Sequence, residues 1–267
     1  MEVKIIDPTN KQVGKKRLPK QFEEEVRPDL IKRALFALQS HKRQPYGSDP
    51  EAGKRHSVRI SKRRRDYRGS YGLGISRTPR KIMARRGTRM TWTGAFVPFT
   101  VGGRRAHPPK AEKILWEKIN KKERRKAIRS AIAATMDIDL VKNKHNIPKD
   151  FPFLISKRFE SLDKTKNVLD ALRGIGLGEE LKRVEERKVR AGRGKTRGRK
   201  YKSKKGPLIV VSDECKLAKA AKNISGVDVV DVKHINVNLL APGAIPGRLT
   251  LWSETAIDIM EKENMFV

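Results

Sequence analysis

Residues 207–232 read PLIVVSDECKLAKAAKNISGVDVVDV, and they decide the fold class. Two short apolar runs, PLIVV (207–211) and VDVVDV (227–232), flank ECKLAKAAKNI, a helical stretch. PLIVV, apolar throughout, suits a strand buried on both faces, VDVVDV sets four valines around two Asp, and a helix between the two runs makes the strands parallel. Moving outward, RLTLW (248–252) is followed by helical SETAIDIMEKE, with a short helix or turn near Val237–Leu240 in between. Upstream stand FPFLI (151–155), a helix from Leu162 to Leu172 with Val168, Leu169 and Leu172 apolar, and a further helix. Val3–Ile6 is a strand candidate near the start.

Three more helical patterns precede residue 150. In RPDLIKRALFALQSHK, Leu30, Ile31, Ala34, Leu35 and Leu38 fall on one stripe, and Pro28 suits a first helical turn. KAEKILWEKIN offers Ile114, Leu115, Trp116 and Ile119 as an apolar side. Asn120 and Glu123 then form a capping-box pattern that starts a helix with Ala127, Ile128, Ala131 and Ile132 facing inward. The expectation is an α/β fold: a three-layer α/β/α body with a four-stranded, mainly parallel sheet, plus a long irregular extended loop. Residues 1–42 and 110–267 form the body, 43–109 the inserted loop, and 188–206 a second basic loop within the body.

The charge is distributed unevenly. The chain has 267 residues and a formal net charge of +33. Residues 43–111 carry 18 Lys and Arg against 3 acids, while residues 207–267 carry a net −2. From Tyr67 to Ala111 there is no acid at all. KVRAGRGKTRGRKYKSKK (188–205) holds ten basic residues and no acid. Such an excess constrains the partner, with nucleic acid first and an anionic membrane second. A solvated tail is the bland alternative, but both runs are internal and mix Gly and aromatic residues with Arg. The lone Cys215 cannot form an internal disulfide. MEVKIIDP has no apolar signal core, and no run reaches the roughly 20 apolar residues of a membrane helix. A soluble, cytoplasmic chain is expected.

The catalytic signatures fail. Gly194-Lys195-Thr196 resembles the end of a phosphate-binding loop, but Val189 stands where its first glycine is needed. Gly174, Gly176 and Gly178 follow a helix and lack the dinucleotide spacing, so they read as helix termination. His107 has no acidic partner in sequence reach, and no nucleophile elbow exists. No enzyme, metal, cofactor or small-molecule substrate is expected.

RNA explains the basic segments better. Arginine clasps phosphate through two bonds and stacks on unpaired bases. Arg59, Lys62, Arg63, Arg64, Arg65, Arg68, Arg77, Arg80, Lys81, Arg104, Arg105, His107 and Lys110 are the RNA-contact candidates of the long segment. Arg190, Arg193, Lys195, Arg197, Arg199, Lys200 and Tyr201 are those of the second. Tyr67, Tyr71, Trp92, Phe96 and Phe99 are base-stacking candidates. Such a segment has too little to bury to fold alone, but can order inside a folded RNA. Duplex DNA fits less well, since no helix-turn-helix, zinc finger or zipper is present.

GGRRAHPPKAEK (102–113), RPDLIKRAL (27–35), RKVRAGRGKTRGRKY (187–201) and LAPGAIPGRLTLWSE (240–254) resemble, in this order and over essentially the whole chain, the large-subunit ribosomal protein L-four family of archaeal and eukaryotic type. The resemblance implies a body bound to large-subunit rRNA and an extension, Arg43–Pro109, that helps form the wall of the nascent-peptide exit tunnel. It places the tip within Ser76–Trp92, with Arg85, Arg86, Gly87, Thr88 and Arg89 as tunnel-lining candidates, and makes Lys188–Lys205 a second rRNA-binding loop. Neighbouring large-subunit proteins and the nascent polypeptide are the other implied partners. Two other readings compete: a free-standing RNA-binding regulator or chaperone, and a nucleotide- or RNA-modifying enzyme with a pocket at the carboxyl ends of 207–211 and 227–232.

Overall fold

The structure, a computed structural model, describes residues 1–213 and 215–267; Glu214, the first residue of the expected helix ECKLAKAAKNI, lies outside the described residues. The chain divides into two units, Met1–His41 with Glu117–Val267, and Lys42–Trp116.

In the first unit, β1 (Glu2–Ile6) turns back into β2 (Gln12–Arg17), and α1 (Pro28–His41) follows. The second unit contributes the hairpin β3 (Arg80–Arg86) and β4 (Arg89–Gly94). The first unit resumes with α2 (Lys121–Ala133), α3 (Ile138–Lys142), β5 (Phe153–Ile155), α4 (Thr165–Leu172) and α5 (Gly178–Glu185). A small hairpin, β6 (Arg187–Val189) and β7 (Tyr201–Ser203), precedes β8 (Leu208–Val211). The remaining elements are α6 (Lys216–Ala221), β9 (Asp228–Asp231), α7 (Val237–Leu240), β10 (Thr250–Ser253) and α8 (Glu254–Lys262).

The main sheet has six strands in the order β2-β1-β5-β10-β8-β9, not the four expected. All neighbouring pairs are parallel except β1 with β2, which is antiparallel. The polar strand β2, QVGKKR, buries no residue, so it carries no apolar signature; it is an edge that pairs through its backbone. Successive residues of the central strands go to opposite faces. Leu208, Val210, Leu154 and Trp252 join one apolar cluster with α1, α2 and α8. Ile209, Val211, Phe153, Ile155 and Leu251 join another with α4 and α6. Two clusters on two faces make the three-layer arrangement, and each fully buried Leu or Ile contributes about 1.5–3 kcal/mol to it. Trp252 is completely enclosed, edge-on to Phe22 at 5.1 Å between centroids, and its indole N–H donates to Thr135 Oγ1 at 3.2 Å.

Two local expectations are corrected. KAEKILWEKIN is not helical; Ile119 packs against the core while Ile114 and Trp116 are exposed, so the apolar spacing has not produced a helix. Asn120 does stand at the N-cap of α2, but its side chain makes no cap bond, and Glu123 instead pairs with Arg33 at 2.8 Å. The long loop is also not irregular throughout, since it contains β3 and β4.

Candidate nucleic-acid interface

Within Lys42–Trp116, Ala95 is the only buried apolar side chain among the described residues. Order there comes from the backbone and from arginine. Arg59 and Arg80 exchange backbone hydrogen bonds of 3.1 and 3.2 Å, and Ser61 bridges Gly69. Asp66 turns the chain between those two points: its carboxylate accepts from the Arg68 amide at 3.1 Å and its carbonyl from the Gly69 amide at 2.8 Å. The Ser61 hydroxyl, followed by the Arg68 amide, holds the Asp66 carboxyl below its ordinary value. The acid in this stretch is therefore occupied by a turn.

β3 and β4 pair from Arg80↔Gly94 to Arg86↔Arg89, with a bulge between Ile82 and Ala84. Gly87 and Thr88 form the two-residue turn. Gly87 has φ +59°, as the first central residue of a type II′ hairpin turn requires. The Gly87 carbonyl accepts from Arg85 Nε at 2.9 Å, which braces the turn. Arg85, Arg86, Gly87, Thr88 and Arg89 are all exposed. Beyond β4, Gly103 closes a tight turn: its amide donates to Thr100 O at 3.0 Å, and a Cβ there would lie 2.0 Å from Val97 O. Only glycine fits.

The expected contact residues divide by placement. Arg59, Lys62, Arg63, Arg64, Arg65, Arg77, Arg105, His107 and Lys110 are exposed, and Arg68, Lys81 and Arg104 are half-buried. Arg80 differs. It is 8% exposed, donates to Ser70 Oγ and Thr78 O at 3.3 Å each, and lies over the Trp92 ring at 5.2 Å. Its guanidinium knits the segment together. Tyr67 has Arg68 at 5.0 Å and Arg85 at 5.5 Å from its ring, and Tyr71 has Arg77 at 4.4 Å. These aromatics thus already carry planar cations, which an incoming base would have to join or displace. Phe99 is 73% exposed, and half-buried Phe96 takes φ +70° so that its carbonyl can accept from the Arg104 amide at 3.2 Å.

The second basic stretch is a hairpin as well. β6 and β7 pair from Arg187↔Ser203 to Val189↔Tyr201, and Arg190 extends the ladder by donating its amide to Lys200 O at 2.8 Å. Its tip is a 3₁₀ turn, Arg193–Arg197, entered at Gly192 and left at Gly198, each with φ +77°. Arg193, Lys195, Arg197, Arg199, Lys200 and Tyr201 are exposed and Arg190 is half-buried.

Sequence reasoning missed the anchor of this hairpin. At its root, Arg183 donates to Lys205 O and Arg248 Nε to Gly206 O, both at 2.9 Å. Arg248 is 1% exposed and pairs with Asp228 at 2.6 Å, while Lys205 Nζ reaches Asp228 at 3.0 Å. Arg183 grips fully buried Glu180 through two bonds of 2.7 and 2.6 Å, and Glu180 also takes the Asn146 amide at 3.0 Å and His145 Nδ1 at 2.6 Å. Burial pushes the Glu180 carboxyl up, but the Arg183 and His145 bonds outweigh it and leave the group below its ordinary value. The one visible signal is Arg248, a charge at the head of an apolar strand.

The carboxyl ends of β8 and β10 are filled from within. Glu160 accepts from Ser212 Oγ at 2.8 Å, and from Ser253 Oγ and Thr255 Oγ1 at 2.6 Å each. This half-buried carboxylate has its oxygens occupied by hydroxyls of the chain itself and ties the ends of β8 and β10 together. Among the described residues, no helix is long and apolar enough to cross a membrane.

An α/β fold with two arginine-rich hairpin segments, one with scarcely any core, defines a class of strongly basic α/β proteins suited to a polyanionic partner. The sequence matches the Ribosomal protein L4/L1 family model over residues 16–263, and the chain belongs to that family. It is a ribosomal protein of the cytoplasm, structural rather than enzymatic. It is 52% identical over 268 positions to "Large ribosomal subunit protein uL4" of Nanoarchaeum equitans, covering 100% of both chains. Proteins with the same description from Archaeoglobus fulgidus (46% identity, 97% of this chain and 98% of the relative) and Methanococcus aeolicus (44%, 98% and 99%) are similar throughout.

Proposed function

We propose that the chain is a structural constituent of the large ribosomal subunit. Its body and both basic segments bind large-subunit rRNA beside neighbouring large-subunit proteins, and the β3–β4 hairpin ends an arm along the wall of the nascent-peptide exit tunnel. The observation that carries this reading is Lys42–Trp116, an ordered segment with one buried apolar side chain and a surface of arginines. A segment of this kind gains its stability from what surrounds it, and a folded polyanion supplies both walls and countercharge. The names of the relatives support the assignment to the large subunit. The exposed turn Arg85–Arg89 is the part we assign to the tunnel, facing the nascent polypeptide.

Sedimentation of a lysate through a high-salt sucrose cushion tests the assignment. One copy per large subunit in the pellet is expected; recovery in the supernatant would make the binding peripheral. The arm is tested by replacing residues 44–114 with a short Gly/Ser linker, which His41 Nε2 donating to the Glu117 carbonyl at 3.0 Å shows can close. The variant should fold, bind rRNA more weakly, and lose affinity less steeply with salt, by a slope of about 0.7–0.9 for each phosphate no longer held. An unchanged slope would remove the extension from the rRNA interface. A cysteine at Thr88 should cross-link a stalled nascent chain, and a cysteine at Lys62 should not.

A further inference from the structure

The extension contains a groove that gathers three of the RNA-contact candidates, Arg105, His107 and Lys110, beside residues not singled out so far. Residues 43–46 form one side of it, and residues 105–115 form the other. The two sides are tied together: the Ser48 amide donates to Pro109 O at 3.1 Å, and Gly47 passes so close to Ala111 that a Cβ would lie 2.8 Å from its nitrogen. The open groove has a volume of about 860 Å³. That is within the usual range of about 300–1,000 Å³ for small-molecule sites and leaves ample room for a nucleotide.

Its lining has two kinds of surface. Arg43, Arg105, His107, Lys110 and Lys113 bring basic side chains to it, against the single acid Glu112. None of these five makes a side-chain hydrogen bond or ion pair with another described residue, unlike Arg80, Arg183 and Arg248, which are fully engaged. The second surface is flat and apolar: Tyr46, which is 60% exposed, with Pro108 and Pro109. Tyr46 also lacks the arginine that covers Tyr67 and Tyr71, so its ring is open. Unengaged cations around an uncovered ring match a ligand with a flat aromatic part and an anionic part. Duplex RNA does not present this combination, because its bases are already stacked; an unpaired nucleotide does.

We propose that this groove seats one unpaired nucleotide of the RNA, with the base on Tyr46 and Pro108–Pro109 and the flanking phosphates on Arg43, Arg105 and His107. The inference rests on the rRNA-binding reading and adds a specific seat to it. Sequence inspection missed Tyr46, Arg43 and Lys113 because nothing in residues 43–46 indicates that residues 105–115 return beside them.

The test is ultraviolet cross-linking of intact large subunits, followed by nuclease and trypsin digestion and mass spectrometry. The tryptic peptide 44–54, QPYGSDPEAGK, should carry a nucleotide on Tyr46. In parallel, the purified full-length chain carrying Tyr46→Leu should bind large-subunit rRNA about tenfold more weakly, and Tyr46→Phe should bind as wild type does, since base–aromatic stacking needs the ring and not the hydroxyl. Nucleotide adducts at Tyr67 or Tyr71 with none on peptide 44–54, together with wild-type affinity for Tyr46→Leu, would overturn the seat while leaving rRNA binding intact. A cross-link from this peptide to an acidic protein segment would assign the groove to a protein partner and equally overturn it. No adduct anywhere, with the chain absent from the high-salt pellet, would instead overturn the broader reading.

Discussion

Ala95 is the one apolar side chain buried in Lys42–Trp116, whereas in the body whole strands, LIVV of β8 and TLWS of β10, are buried at every residue. The body is ordered by removing apolar surface from water. The extension is ordered by backbone pairs such as Arg59 with Arg80, and by arginines laid over rings, each worth about 0.5–1 kcal/mol where exposed. A buried Leu alone contributes about 1.5–3 kcal/mol, so the two regions differ greatly in self-sufficiency. The difference teaches that one chain can hold two kinds of order. One rests on an apolar core, and the other on backbone pairs and arginines among cations that few acids offset.

The contrast is sharpest between two tryptophans. Trp252→Ala should cost about 3–5 kcal/mol of body stability in urea unfolding, because it empties an enclosed site. Trp92→Ala should leave the same transition within about 0.5 kcal/mol. Comparable losses would erase the distinction. A smaller effect is expected at the junction of body and second hairpin, where Glu180→Gln should cost about 3 kcal/mol at neutral pH by breaking a buried ion pair. The sign with pH follows from the lowered Glu180 carboxyl. Its stabilisation is present above the ordinary value of 4.5 and is lost as pH falls through the lower folded value. The stability gap between wild type and Glu180→Gln should therefore narrow on acidification below 4.5; a gap constant with pH would remove Glu180 from this role. The smallest effect belongs to Gly87→Val, which forces a β-branched residue to positive φ and should cost the β3–β4 hairpin about 1–2 kcal/mol. Faster amide exchange in β3 and β4, with the body unchanged, is the readout.

What could be read from the sequence follows the same division. Buried parallel strands advertise themselves as continuous apolar runs, so 207–211 and 248–252 were legible. The edge strand QVGKKR was not, because a strand that buries nothing needs no pattern. RKIMARRGTRMTWTG concealed a hairpin for a related reason. Neither strand lies on a core, and the bulge at Met83 breaks whatever alternation Ile82 and Ala84 would have shown. KAEKILWEKIN erred the other way, with apolar spacing in a stretch whose Ile114 and Trp116 stay exposed. Charge runs located both basic segments. They could not show that Arg80 turns inward, that Arg85 reaches the ring of Tyr67 from the hairpin, or that Arg248 holds the root of a loop forty residues earlier.

The position of β10 has a consequence for how the molecule is made. It stands between β5 and β8, and so joins β2-β1-β5 to β8-β9. Residues 250–253 are the last of the six strands to be synthesised, so the sheet cannot close until every other strand has waited for them. Both arginine-rich hairpins are therefore translated before the platform that carries them is finished. A chain broken off before residue 250 would leave two part-sheets with bare edges, the kind of surface that marks a polypeptide for aggregation or disposal. Placing the last-made strand in the middle makes the fold a check on its own completion.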